Sequence, residues 1–124
     1  MPEIDYKLLF DGTWEGIRVR CILWEGLAKG DKGKPFVLPL FNSRSVQVVG
    51  TAGIGGKVQI KGSNVPSQDD PPFDVLSDTR HGLLEFSSAG SLRQVAEVCH
   101  QLRPEVVAGD ENTRFDVYLY MKSS

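Results

Sequence analysis

Apolar and polar side chains alternate with a period of two in three stretches of this chain, and a sequence patterned in this way buries its apolar face as β-strands. In GIRVRCILWEGL (16–27), Ile17, Val19, Cys21 and Leu23 fall on one face, and Arg18, Arg20, Ile22 and Trp24 on the other. The second face is mixed, as expected of a strand partly covered on both sides. SVQVVG (45–50) and KVQIKGS (57–63) form the second region. TRFDVYLYMK (113–122) is the third, with Phe115, Val117, Leu119 and Met121 on one face and Asp116, Tyr118 and Tyr120 on the other.

Shorter apolar runs, FDVLSD (73–78), GLLEFS (82–87) and PEVVAGD (104–110), read as further strands. GDENT (109–113) is rich in turn formers and predicts a hairpin into the last strand. One segment departs from period two. In SLRQVAEVCHQL (91–102), Leu92, Val95, Val98, Cys99 and Leu102 recur at spacings of three and four. That spacing predicts one short helical turn, capped by Ser91 and stopped by Pro104. The 124 residues match the size of one domain. The expected fold is therefore all-β: a single sandwich, jelly-roll or Ig-like, of about eight strands spanning 1–124, with 1–14 as a possible N-terminal arm.

GTAGIGGKV (50–58) has the glycine density of a phosphate-binding loop. A Walker loop reads GxxxxGK[ST] and opens a helix. Counting back from Lys57 puts Thr51 where the first glycine belongs, and Val58 supplies no hydroxyl for Mg²⁺. The stretch leads into the alternating strand VQIKGS, where a Walker loop requires a helix. The residues read instead as a tight hairpin turn between strands 45–49 and 57–62, with Gly53, Gly55 and Gly56 supplying positive φ.

Other chemistry finds little purchase. Fourteen basic and sixteen acidic side chains give a net charge of −2, without the basic excess of a nucleic-acid binder. Cys21 and Cys99 are far apart and lie among apolar neighbours; buried free thiols are the default reading, with a disulfide between them as the open alternative. His81 and His100 form no zinc motif. Cys99 beside His100 is adjacency in sequence alone, and no GxSxG occurs, so no catalytic residues are assigned. Asp69, Asp70, Asp74, Asp78, Asp110 and Glu111 lack EF-hand spacing. No cofactor or metal is expected. No apolar run approaches a membrane span, and the acidic start MPEIDYKLLFDG does not read as a signal peptide, so the expectation is a soluble product of the cytoplasm.

The order of segments from 44 to 122 resembles small β-sandwich proteins among the virion proteins of tailed bacteriophages. The residues that carry the resemblance are Val58–Asn64 (V-x-I-x-G-S-N), Arg103–Pro104 and the Gly109–Asp110 turn before the last strand. NVPSQDDPP (64–72) stands where those proteins more typically have a glycine-rich turn followed by tryptophan. Several such proteins are capsid decoration, or cement, proteins. The resemblance implies a non-enzymatic protein on the capsid surface that contacts the major capsid protein and stabilises the icosahedral head, often as a homotrimer. It implies no nucleic-acid or membrane partner. V-x-I-x-G-S also occurs in jelly-roll carbohydrate-binding modules, so a carbohydrate- or receptor-binding module of a virion is the alternative. The candidate interface residues are Tyr6, Leu8, Leu9, Phe10, Trp14, Tyr118 and Tyr120, aromatic or apolar groups suited to a surface wet on one side.

Overall fold

The computed structural model describes residues 3–37, 43–66, 71–80 and 82–123. The described residues form strands and no helix: β1 (Glu3–Ile4), β2 (Tyr6–Trp14), β3 (Ile17–Leu27), β4 (Lys32–Gly33), β5 (Phe36–Val37), β6 (Ser43–Thr51), β7 (Lys57–Ser63), β8 (Asp74–Val75), β9 (Glu85–Phe86), β10 (Leu92–Gln94), β11 (Gln101–Ala108) and β12 (Arg114–Lys122). A five-stranded sheet runs β10-β6-β12-β3-β2. It packs on a seven-stranded sheet with the path β1-β4-β11-β7-β8, in which β5 also pairs with β11 and β9 with β7. The β-sandwich expected from the alternating pattern is the fold observed. Six long strands carry it, and the other six are edge pieces of two or three residues.

The core lies between the sheets. Val46 and Val48 of β6, Ile22 and Trp24 of β3, and Phe115, Val117, Leu119 and Met121 of β12 face Val58 and Ile60 of β7, Leu102 and Val106 of β11, Leu84 and Phe86. Burying one such aliphatic side chain contributes roughly 1.5–3 kcal/mol. On β3 the core face is the mixed one, carrying Ile22 and Trp24. Cys21 and Leu23 are also buried, but on the outer face of the sheet, opposite Tyr120 and Tyr118. Cys21 and Cys99 are both buried free thiols, each with its pKa raised by burial.

Three expectations are corrected. Segment 91–102 is extended, not helical: Leu92–Gln94 pairs with β6, Val95 bridges to Asp78, and β11 begins at Gln101. Its three-and-four spacing marks no common face, since Val95, Cys99 and Leu102 are buried while Leu92 and Val98 are exposed. Pro104, expected to end a helix or open a strand, lies inside β11. It falls between the residues paired to β5 (Gln101, Leu102) and the one paired to β4 (Glu105), where interruption of the ladder leaves room for a residue without an N–H. Finally, neither of the two predicted hairpin turns, 50–56 and 109–113, closes a hairpin. β6 and β7 lie in different sheets, as do β11 and β12, so 52–56 and 109–113 are crossovers between layers.

Candidate docking surface and basic cleft

The long-stranded hairpin of the fold is β2–β3. Glu15 and Gly16 form its two-residue turn with φ of 50° and 82°. Positive φ at both positions is the type I′ geometry that suits twisted strands, and glycine favours it. Of segment 1–14, expected as a possible arm, the described residues 3–14 contribute β1 to one sheet and β2 to the margin of the other. Strand β2 leaves one edge unpaired among the described strands and exposes Leu8 (58%), Leu9 (45%), Phe10 (48%) and Trp14 (75%).

Register sorts the candidate interface residues into groups. Phe10 lies opposite Cys21, and Cys21 opposite Tyr120; Trp14 lies opposite Ile17. Phe10, Trp14, Tyr118 and Tyr120 therefore share the outer face of the five-stranded sheet. Phe10 meets Tyr120 edge to face at 6.1 Å. Leu9 is the extra residue of a bulge between Leu8 and Phe10. Tyr6 and Leu8 are on the inner side, opposite Trp24 and Ile22. Tyr6 is half-buried and packs edge-on against Trp24 and Phe36, at 6.0 and 5.1 Å. Also on β2, Asp11 binds Arg20 at 2.9 Å and Arg18 at 3.2 Å, and these bonds hold its carboxyl below the usual carboxylate range.

The two crossovers are fastened to each other. Asp110 accepts hydrogen bonds from the N–H of Ile54 (3.1 Å) and of Asn112 (2.9 Å), which hold its pKa down. Buried Thr113 donates from Oγ1 to the Ala52 carbonyl at 2.8 Å and accepts from the Asp110 N–H at 2.9 Å. The glycine stretch is thus a structural clasp between sheets.

A second latch holds 77–95. Arg93 donates to Asp78 Oδ2 from Nη2 (2.6 Å) and Nε (2.9 Å), and the N–H groups of Gly82 and Arg80 donate to Oδ1 at 2.9 Å each. Arg93 first, then the Gly82 amide, lower the Asp78 pKa from 3.8 to about 2. A carboxyl depressed in the folded state adds stability above its unfolded pKa and loses it as pH falls through the folded one. Stability from this latch is therefore expected to be intact above pH 4 and to decline between 3.8 and about 2. Thermal unfolding of Asp78→Asn should run lower than the parent at pH 6 and converge with it near pH 2. A constant gap across that range would rule the latch out as the source.

An open cleft of about 790 Å³ lies at the margin of the seven-stranded sheet. Among the described residues, four cationic side chains line it, Arg20, Lys32, Lys34 and Arg103, with one carboxylate, Glu3. Phe36, Phe73 and the prolines 35, 66 and 71 form apolar walls. Arg103 is fixed in place: its guanidinium stacks on Phe73 at 3.9 Å, and Nε donates to Glu105 Oε2 at 3.0 Å. Glu105 also accepts from Lys61 at 3.1 Å. Burial alone would raise the Glu105 pKa, but Lys61 and Arg103 more than offset it and hold the carboxyl below its ordinary value. Sequence reasoning missed this cleft, because Glu3 and Tyr6, Arg20, the 32–37 segment, Pro66, Pro71 and Phe73, and 100–103 meet only in the fold.

The remaining candidates are dispersed. Half-buried His100 lies on the cleft wall, and its backbone N–H donates to Asn64 Oδ1 at 3.0 Å. Asp74 is exposed and caps the N–H of Val75. Asp69, Asp70 and His81 lie outside the described residues. Among the described residues no three His, Cys, Asp or Glu side chains converge to hold a metal.

These features define a two-layer, mostly antiparallel β-sandwich with an apolar margin and a basic cleft. Its fold is similar to the crystal structure titled SPBc2 prophage-derived protein YomS, with a TM-score of 0.64 and 13% identity, covering 85% of this chain and 95% of that one. At that identity the likeness concerns the fold alone. Comparison with protein-family models and with curated proteins gives no match.

Proposed function

We propose that this chain is a non-enzymatic virion protein of a tailed bacteriophage. In this reading it is a capsid decoration protein that docks on the major capsid protein and stabilises the head, acting as a homotrimer and reaching the capsid surface from the host cytoplasm. The observation that carries the proposal is the exposed apolar margin of the β2–β3 hairpin, where Leu8, Phe10 and Trp14 project from an outer strand. Aromatic anchors of this kind dominate interfaces when a partner desolvates them. The fold shared with a prophage-derived protein supports a phage setting. The alternative, a carbohydrate- or receptor-binding module, would use the same face, where exposed Tyr120 meets Phe10 in a T-shaped pair and Tyr118 is half-buried.

The test is cosedimentation with phage heads stripped of their decoration protein. Saturable binding at a fixed ratio to capsid subunits, with heads then surviving higher temperature, is the expected result. Trp14→Ala should weaken binding about tenfold, as loss of one interface anchor does, while leaving the unfolding midpoint nearly unchanged because Trp14 is exposed. Absence of binding to heads would sink the decoration reading.

A further inference from the structure

The cleft holds a charge imbalance that the chain as a whole does not have. Net charge is −2, yet Arg20, Lys32, Lys34 and Arg103 converge on one concavity; Asp11 holds Arg20 and Glu105 holds Arg103, while among the described lining residues Glu3 is the acid that faces Lys32 and Lys34. Clustering like charges around a cavity is unfavourable in the free protein, and an anionic occupant relieves it. One of the four is also preorganised. The Arg103 side chain is only 10% exposed. Phe73 and Glu105 restrain it from two directions. Nε and Nη2 both engage Glu105 Oε2 at 3.0 Å, and no partner is described for Nη1. A guanidinium held in a plane presents a fork that matches a carboxylate. Lys32 and Lys34, two residues apart, make no ion pair among the described residues, and Lys34 is exposed. They supply point charges along the cleft, and the phenylalanine and proline walls supply apolar contact.

We propose that this cleft binds an extended acidic peptide segment of a partner protein, with one carboxylate on Arg103 and others on Lys32 and Lys34. Such binding would hold whether or not the chain is a virion component. A peptide is favoured over nucleic acid by the state of the aromatic rings. Phe73 is covered by Arg103, and Phe36 is buried and packed against Tyr6. Neither offers the free face on which a base would stack. A volume of about 790 Å³ accommodates several residues of extended chain, being within the range of ligand sites.

The experiment is fluorescence anisotropy with a fluorescein-labelled dodecapeptide of alternating glutamate and alanine, at low ionic strength. An oligothymidylate of equal charge and inorganic phosphate serve as competitors. The peptide should bind saturably. The Lys32→Glu, Lys34→Glu double variant, confirmed as folded by circular dichroism, should bind about tenfold more weakly, since two attractive contacts become repulsive. Failure of the peptide to saturate would overturn the proposal, as would equal binding by the double variant. Tighter binding of the oligothymidylate would overturn it in favour of a nucleic-acid groove. Displacement by millimolar phosphate as effective as by unlabelled peptide would reduce the site to a simple anion pocket.

Discussion

Trp24→Ala is expected to bring the protein to the edge of unfolding, with a loss of about 5 kcal/mol. Truncating a buried tryptophan costs roughly 3–5 kcal/mol through lost transfer energy and the cavity left behind. Trp24 is fully buried, and its Nε1 donates to the Lys34 carbonyl at 3.0 Å. Alanine would leave that carbonyl without its donor, adding about 1 kcal/mol or more. A domain of this size holds only about 5–15 kcal/mol in total. The indole also fixes how closely the sheets approach, since a Cβ on Gly33 would sit 2.6 Å from Nε1. Urea unfolding followed by circular dichroism measures the loss. Trp24→Phe keeps most of the volume and should lose about half as much. An alanine variant that unfolds at the parental midpoint would show that the indole does not bridge the layers.

Gly50→Ala is expected to cost about 3 kcal/mol, from backbone strain and overpacking together. Gly50 has φ +108°, a conformation L-residues avoid, and an added Cβ would lie 2.3 Å from the Arg114 carbonyl oxygen on β12. That oxygen is backbone in the middle of the five-stranded sheet, so no side chain can move aside. Gly12→Ala is the control: its Cβ would meet nothing within 4 Å and its φ is ordinary. The two variants compared by thermal unfolding should separate widely. Equal midpoints would mean that the β6–β12 pairing shifts to accept a methyl group at little cost.

Strand content was legible because period two is a local property. Val46, Val48, Val58, Ile60 and the Phe115–Met121 stripe all face the core as their alternation predicts. Sheet membership was not legible. Strands β6 and β7 would alternate identically as hairpin partners or as members of opposite layers, and glycine permits positive φ in either kind of connection. What separates the two cases is Asp110 and Thr113, over fifty residues further along, holding Ile54 and Ala52. The false helix at 91–102 has a similar origin. Apolar residues in a short irregular segment met the helical spacing by chance, while Arg93 was committed to Asp78. Of the candidate surface residues, β2 could be marked as apolar but not as exposed, since an outer strand and a central strand of nine residues look alike. Tyr6 shows the ambiguity within one strand, packing against Trp24 and Phe36 while Trp14 projects into solvent.

The place of β12 bears on how the chain acquires its shape during synthesis. This strand follows the other described strands in chain order but is central in its sheet, pairing with β6 on one side and β3 on the other. A ribosome-bound chain lacking it holds β2–β3 and β6–β10 as separate ribbons with no shared partner, their apolar faces open to water. Two-stranded ribbons of this kind are marginal alone. The layer can close only when β12 has left the exit tunnel and inserts between them, so the sheet is expected to form in a single step once that strand is available. Deletion of β12 would then resemble withdrawal of a keystone more than the trimming of a tail.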